Sequence, residues 1–270
     1  MIPKRIIQIW GGGAELPLLA KCAVANVRLL NPGYEYLIFD DDRMEQFVGD
    51  KFAQYREVFH SFRYPIQRYD FFRYLEVYEH GGFYFDTDVF LASGLDKLVH
   101  DRCVFPFEAL TGSVFLRRQL GMDWEVGNYA FGAAARHPLI DAIIENCVRA
   151  QKDGDWAEAM LRPIPRVFWD YYHVLCTTGP WMVSRTLAEF AGAGEQVRIL
   201  FPEDVRDRTS WAHFGEYGVH LMRAGWHEPR WTLRRRLNIA WQSWVTRRML
   251  KESFKLGKTR SLGELGKPVI

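Results

Sequence analysis

Gly81-Gly82-Phe83-Tyr84-Phe85-Asp86-Thr87-Asp88-Val89-Phe90 sets two carboxylates one residue apart inside an aromatic, strand-like run. In extended backbone side chains alternate faces, so Asp86 and Asp88 are expected to point one way and Phe85, Thr87 and Val89 the other. Two carboxylates on one face repel each other unless a cation lies between them. Hard divalent ions such as Mn2+ or Mg2+ prefer carboxylate, water and phosphate oxygens, which makes a diphosphate the natural third party. A solvated pair at a strand end is the other reading of a bare Asp-x-Asp, so the surrounding residues have to decide.

Upstream, Ile66 to Glu79 reads as one helix, with Phe71, Leu75 and Tyr78 forming an apolar stripe and His80-Gly81-Gly82 providing the stop. Asp70 and Arg73 lie three apart on an adjacent face. That spacing suits a surface ion pair of little value. It also suits delivery of both charges to the aspartate segment, Arg73 toward phosphate and Asp70 toward a sugar or ribose hydroxyl. Farther upstream the pattern runs strand, helix (Pro17 to Leu30), strand (Tyr34 to Phe39) and helix (Arg43 to Val48). Such alternation predicts an α/β sheet with helices on both faces and ligand at the carboxyl edge of the strands.

Four blocks, in order, resemble the DXD-motif glycosyltransferases, glycosyltransferase family thirty-two. That group contains the fungal initiating mannosyltransferase and capsular polysaccharide enzymes, and is distantly similar to the large clostridial toxin glucosyltransferases. The blocks are Ile2 to Trp10; Asn31 to Tyr36 with Asp40-Asp41-Asp42; Arg68 to Tyr74 through Gly81-Gly82 to Asp88; and Thr178-Gly179-Pro180 with Tyr217 to His220 and Trp226. The resemblance implies a GT-A-type, Rossmann-like mixed sheet flanked by helices. It further implies a nucleoside diphosphate donor, a UDP- or GDP-hexose, and transfer to a glycan or lipid-linked acceptor with retention of configuration. By position it makes Asp86, Asp88 and His220 the ligands of Mn2+ or Mg2+. Trp10 becomes a stacking surface for the nucleobase, Asp70, Arg73 and Asn128 become donor contacts, and Trp226 a nearby aromatic. Asp86, Asp88 and Arg73 are the residues expected to carry catalysis. The chain departs from the family at Ile7, where histidine is common, at Tyr69, where Ser or Ala is common, and in the spacing from His220 to Trp226.

The 270 residues, 48% of them hydrophobic, suffice for one sizeable core, and no Ser/Pro/Gly-rich linker demands a second. We therefore read residues 1–226 as the catalytic domain and 227–270 as a tail. The tail holds eleven Lys and Arg against three Glu, a net +8, which leaves −6 for residues 1–226 beneath an overall +2. Trp231, Leu237, Trp241, Trp244 and Met249 interleave with the charges, so the tail predicts a basic amphipathic helix over about residues 230–256. It would either lie on an anionic membrane surface or pack its apolar face on the catalytic domain. Nucleic acid is not expected as a partner, because no recognition motif accompanies the basic run.

Cys22, Cys103, Cys147 and Cys176 have neither metal-ligand spacing nor a pairing signal, which points to free thiols in a reducing compartment. The chain enters a strand at once, with no apolar signal core and no apolar run long enough to span a bilayer. Together these predict a cytoplasmic enzyme, bacterial rather than of the Golgi; the family resemblance adds surface polysaccharide synthesis, and the basic tail a peripheral place on the inner face of the plasma membrane. Two other classes fit the motif superficially: a haloacid-dehalogenase-like phosphohydrolase, with Asp86 as nucleophile and Asp88 as acid, and a non-catalytic sugar- or lipid-binding module.

Overall fold

The structure, a computed structural model, describes residues 1–190 and 196–221, and beyond them six helical positions: Leu237, Ala240, Trp241, Trp244, Arg247 and Arg248. The first half runs β1 (Arg5–Ile9), α1 (Leu18–Leu30), β2 (Glu35–Phe39), α2 (Asp41–Lys51), α3 (Arg56–Ser61), α4 (Pro65–His80), β3 (Gly82–Phe85) and β4 (Val89–Leu91). There follow β5 (Cys103–Leu110), α5 (Val114–Leu120), β6 (Trp124–Val126), β7 (Ala130–Ala133), α6 (Pro138–Lys152) and α7 (Gly154–Glu158). The described elements end with α8 (Trp169–Thr177), α9 (Pro180–Glu189), β8 (Arg198–Leu200) and β9 (Gly218–His220).

Seven strands form one mixed sheet in the order β2-β1-β3-β7-β5-β6, with β8 alongside β5. This is the mixed α/β sheet the sequence pattern predicts. β2, β1 and β3 are parallel, and β7 joins β3 antiparallel. The pleat sorts neighbours to opposite faces: Ile7, Ile9 and Tyr84 enter one core with α2, α4, α6 and α9, whereas Ile6, Phe83 and Phe85 enter another with α1 and β4. Both faces are covered, which explains why β3 is buried at every position and reads as a continuous aromatic run.

α4 is the element that aims the site. Pro65 opens it in the first turn, Tyr64 caps it, and the Gln67 side chain accepts the Tyr64 amide at 3.0 Å. Gly81 ends it at φ 68, where a Cβ would fall 2.7 Å from the Ala135 backbone nitrogen and 2.8 Å from the Pro3 ring. The chain can therefore reverse directly from α4 into β3. The predicted helix 66–79 is one residue short at each end, but its polar residues are not at the surface. Gln67, Asp70, Arg73 and Glu76 are all buried, at helical spacing, along one stripe.

Tail residues Trp231, Met249 and most of 227–270 lie outside the described residues, as does the boundary at Trp226. Of the described tail positions, Trp241 is half-buried against the cluster formed by Leu116, Met160, Tyr172 and Trp181, while Leu237 and Trp244 stay about half exposed. Among the described residues no helix is long and apolar enough to cross a membrane.

Candidate active site

The aspartates do not lie in a strand. β3 stops at Phe85, Asp86 to Asp88 form a turn closed by the Val89 amide on the Asp86 carbonyl at 3.2 Å, and β4 begins at Val89. The alternation argument thus fails in its detail, yet the turn still brings the two carboxylates together. β9 pairs antiparallel with β4, setting His220 opposite Val89, and the Leu221 amide donates to the Asp88 carbonyl at 3.1 Å. His220 Nε2 then stands 3.1 Å from Asp88 Oδ1 and 3.9 Å from Asp86 Oδ2.

One ligand atom from each of Asp86, Asp88 and His220 falls within 4.8 Å of the others, so the three could hold a metal ion. The chemistry of the set fits a divalent cation such as Mn2+ or Mg2+: two hard anionic oxygens and one imidazole, partly open to solvent. Burial lowers the His220 pKa, but the Asp88 hydrogen bond and the charges of Asp86, Asp88 and Glu108 raise it more, and the net direction is upward. The ring of Tyr129 stacks on His220 at 4.4 Å and fixes its plane.

Behind this cluster, α4 delivers a fully enclosed polar network. Arg73 pairs with Asp70 at 3.0 Å and with Asp86 at 3.1 Å, and donates to the Asn128 carbonyl at 2.8 Å. Its guanidinium also lies over the Tyr84 ring at 4.4 Å, and the Tyr84 hydroxyl donates to Asp86 Oδ1 at 2.6 Å. Asp70 accepts further bonds from Asn128 Nδ2 at 3.1 Å and the Thr178 hydroxyl at 2.9 Å. Asn128 Nδ2 also reaches the Tyr74 hydroxyl at 2.9 Å. Burial nevertheless pushes Asp70 up to about 6 against the opposing pull of Arg73. Arg73 goes the other way: burial works against its charge, but Tyr84, Asp86 and Asp70 raise its pKa overall. We read the pair as ionised, because each carboxylate oxygen of Asp70 has a donor and Arg73 has two acids.

The sequence places Arg73 toward phosphate, but its side chain is only 4% exposed and its donors point at protein groups. Its contacts are with Asp70, Asp86 and the Asn128 carbonyl. Asp70 and Asn128 share that enclosure and meet Arg73 directly. Trp10 stands apart from this network, half-buried at the carboxyl end of β1, its indole N–H donating to the Ala14 carbonyl at 2.6 Å. β1 and β3 are parallel with Ile7 opposite Tyr84, so Trp10 and the aspartate turn leave the same edge of the sheet. The loop after Trp10 is held by the Gly12 amide on Asp41 at 2.5 Å, and Gly11 packs where a Cβ would strike Tyr69 and Asp41. Tyr69, where the chain departs from the family, thus supports that loop.

Sequence reasoning passed over Tyr84, Thr178, Gln8 and Glu108. Tyr84 was legible, two residues before Asp86 and near the end of the strand that leads into it. Thr178 stands out only as part of the Thr178-Gly179-Pro180 block, although its hydroxyl is the one that reaches Asp70. Gln8, bonded to the Asp86 carbonyl at 3.3 Å and to Tyr36, carried no signal beyond being polar in an apolar strand.

Two aspartates and a histidine thus converge at the carboxyl edge of the parallel strands of a mixed α/β sheet. Residues 17–105 match the family described as the glycosyltransferase sugar-binding region containing DXD motif. Curated relatives include inositol phosphoceramide mannosyltransferase 2 of Schizosaccharomyces pombe, 27% identical over 214 residues, 76% of this chain and 54% of that protein. Mannosyl phosphorylinositol ceramide synthase CSH1 of Saccharomyces cerevisiae is 28% identical over 182 residues, 66% of this chain and 42% of the relative. The chain spans about half the length of the curated relatives it matches. Among solved structures it is similar to PaToxG glycosyltransferase, at 17% identity over 70% of this chain and 69% of that one, with a TM-score of 0.49.

Proposed function

We propose that the chain transfers a hexose from a nucleoside diphosphate donor to a hydroxyl of a glycan or glycolipid, with Asp86, Asp88 and His220 holding Mn2+ or Mg2+. The observation that carries this reading is the convergence of those three side chains at the strand edge, braced from within by Arg73. The printed names of the relatives, mannosyltransferases both in action, favour mannose as the hexose.

Breaking the bond between the anomeric carbon and the diphosphate oxygen leaves the electron pair on the diphosphate, and a divalent ion at this site would supply Lewis-acid stabilisation of that charge. The chain's own groups set the geometry. Arg73 and the Tyr84 hydroxyl fix Asp86 so that no reorganisation accompanies charge development. Trp10 offers a face for the nucleobase, and Asp70 with Asn128 backs the sugar subsite. The acceptor hydroxyl oxygen bonds to the anomeric carbon while its proton passes to the departing phosphate oxygen on the same face, which retains configuration. Cys22, Cys147 and Cys176 carry thiols outside any disulfide, which supports a reducing, cytoplasmic setting.

The test is donor turnover by the full chain against a panel of GDP- and UDP-hexoses, with Mn2+, Mg2+ or excess chelator. Turnover of one donor, lost in chelator and in Asp86→Ala and Asp88→Ala proteins that retain the native circular dichroism spectrum, is the expected result. Undiminished turnover in chelator would remove the metal. Phosphate release from simple monoesters, with no nucleotide-sugar turnover, would replace the transferase with a phosphohydrolase.

A further inference from the structure

His220 is fixed at its main chain and on three sides of its ring, and left open on the fourth. Its amide donates to the Ala212 carbonyl at 2.8 Å and its strand pairs with β4, which sets where the side chain starts. Nε2 stands 3.1 Å from Asp88 Oδ1, and the ring lies on Tyr129 at 4.4 Å with the planes 19° apart. Nδ1, in contrast, is buried and has no hydrogen-bond partner. A histidine that gives Nε2 to a metal carries its remaining proton on Nδ1, and a buried N–H without an acceptor is costly.

Two more atoms around the same aromatic ring share that condition. The Tyr129 hydroxyl and Glu108 Oε2 are buried and likewise without a hydrogen-bond partner. Native structures leave few such atoms, so three of them gathered about one ring call for a common partner. The backbone is built to bring Glu108 there. β5 and β6 pair Phe107 with Val126 but Ala109 with Glu125, which makes Glu108 the extra residue of a β-bulge. Bulges re-aim a side chain, and this one sets the carboxylate against Tyr129. A Cβ on Gly127 would fall 2.4 Å from Glu108 Oε2 and 2.5 Å from Tyr129 Cε1, so glycine at 127 is what lets acid and ring meet. Glu108 also lines a cavity of about 610 Å³ between β5, β6, α5 and α8, which gives water a route to the carboxylate. Tyr129 ties the group to the aspartate turn as well, because its carbonyl accepts the Asp86 amide at 2.7 Å.

We propose that Glu108 is a positioning residue for His220: through one ordered water, held also by the Tyr129 hydroxyl, Oε2 takes the hydrogen bond of Nδ1–H and keeps Nε2 turned toward Asp86 and Asp88. Three polar partners are the usual complement of a buried water. A carboxylate behind a histidine fixes which ring nitrogen faces an ion and makes that nitrogen the stronger ligand. This rests on the reading of Asp86, Asp88 and His220 as a metal site and adds the group that orients the histidine.

Two measurements on the full chain test it. The first is a crystal structure without metal, in which a water within hydrogen-bond distance of Glu108 Oε2, the Tyr129 hydroxyl and His220 Nδ1 is expected. The second is titration with Mn2+ alone, read from the electron paramagnetic resonance signal of the free ion. Glu108→Ala and Tyr129→Phe should each weaken Mn2+ binding by about tenfold or more, the scale on which partners behind a metal ligand act. Glu108→Gln keeps an oxygen that accepts, and should rescue affinity to within about threefold of the parent. Tyr129→Phe keeps the ring stacked on His220, so it remains informative if Glu108→Ala misfolds. No such water in the crystal, or parental Mn2+ affinity in Tyr129→Phe, would overturn the proposal. A parent chain that holds the water but binds Mn2+ no better than Asp86→Ala does would instead overturn the metal reading.

Discussion

Arg73 is the residue on which most of the site depends, because one guanidinium serves Asp70, Asp86 and the Asn128 carbonyl at once. Removing one partner of a buried charge pair typically costs ~3 to 5 kcal/mol, since the remaining charge has lost both water and its counter-ion. Arg73→Ala is therefore expected to lower Tm by ~2 to 4 °C for each kcal/mol lost, as measured by calorimetry. Asp70→Asn in the same background should recover part of that loss, because the amide no longer carries the stranded charge. If the double variant is no more stable than Arg73→Ala, the two residues are not coupled. If Trp10 stacks on the nucleobase as proposed, nucleoside diphosphate affinity in Trp10→Ala should fall by the ~1 to 3 kcal/mol typical of base stacking on an aromatic ring. Calorimetric titration measures it, and an unchanged affinity in the folded variant would reduce Trp10 to a loop anchor for Ala14.

At the scale of elements, the sequence was most legible where pattern and punctuation agree. Pro65, the Phe71, Leu75 and Tyr78 stripe and Gly81 together define α4 almost to the residue, and the alternation of β1, β2 and β3 with helices leads to the right sheet. What could not be read were features that depend on partners distant in the chain. The Asp86 to Asp88 turn follows from β4 leaving the main sheet to pair with β9, over a hundred residues later, and no local signal marks that. The buried polar stripe of α4 looks like a surface face until Asn128 and Thr178 arrive to satisfy it. The β5 and β6 pair hides a comparable case. Burial, with Glu108 adding repulsion, pushes the Glu125 carboxyl from 4.5 up to about 8, although the Thr111 hydroxyl and Trp181 pull the other way. The native state thus holds this proton more tightly than the unfolded chain does. Its stabilising contribution is complete below about pH 4.5 and is lost as pH rises through about 8. Urea unfolding between those limits should show stability falling with pH, and falling less steeply in Glu125→Gln. Parallel slopes would mean that Glu125 titrates alike in both states.

Over the whole molecule the charge is divided, −6 on residues 1–226 and +8 on 227–270, and the described part of the tail shows how such a segment can be anchored. Trp241 is set against the cluster of Leu116, Tyr172 and Trp181, while Arg247 and Arg248 stay exposed. A surface of that kind near an anionic bilayer gains roughly 1 kcal/mol per basic residue, an attraction confined to about a Debye length and weakened by salt. The full chain is accordingly expected to co-sediment with vesicles containing anionic lipid, not with neutral ones, and to be released as salt is raised. Replacing Arg234, Arg235 and Arg236 together by glutamate changes the tail charge by six without touching Trp241. It should abolish sedimentation and leave donor turnover in solution intact, because Asp86, Asp88, His220 and Arg73 all precede it. Sedimentation that survives the charge reversal, or a parent chain that ignores anionic vesicles, would leave the tail as a wall of the catalytic domain and nothing more.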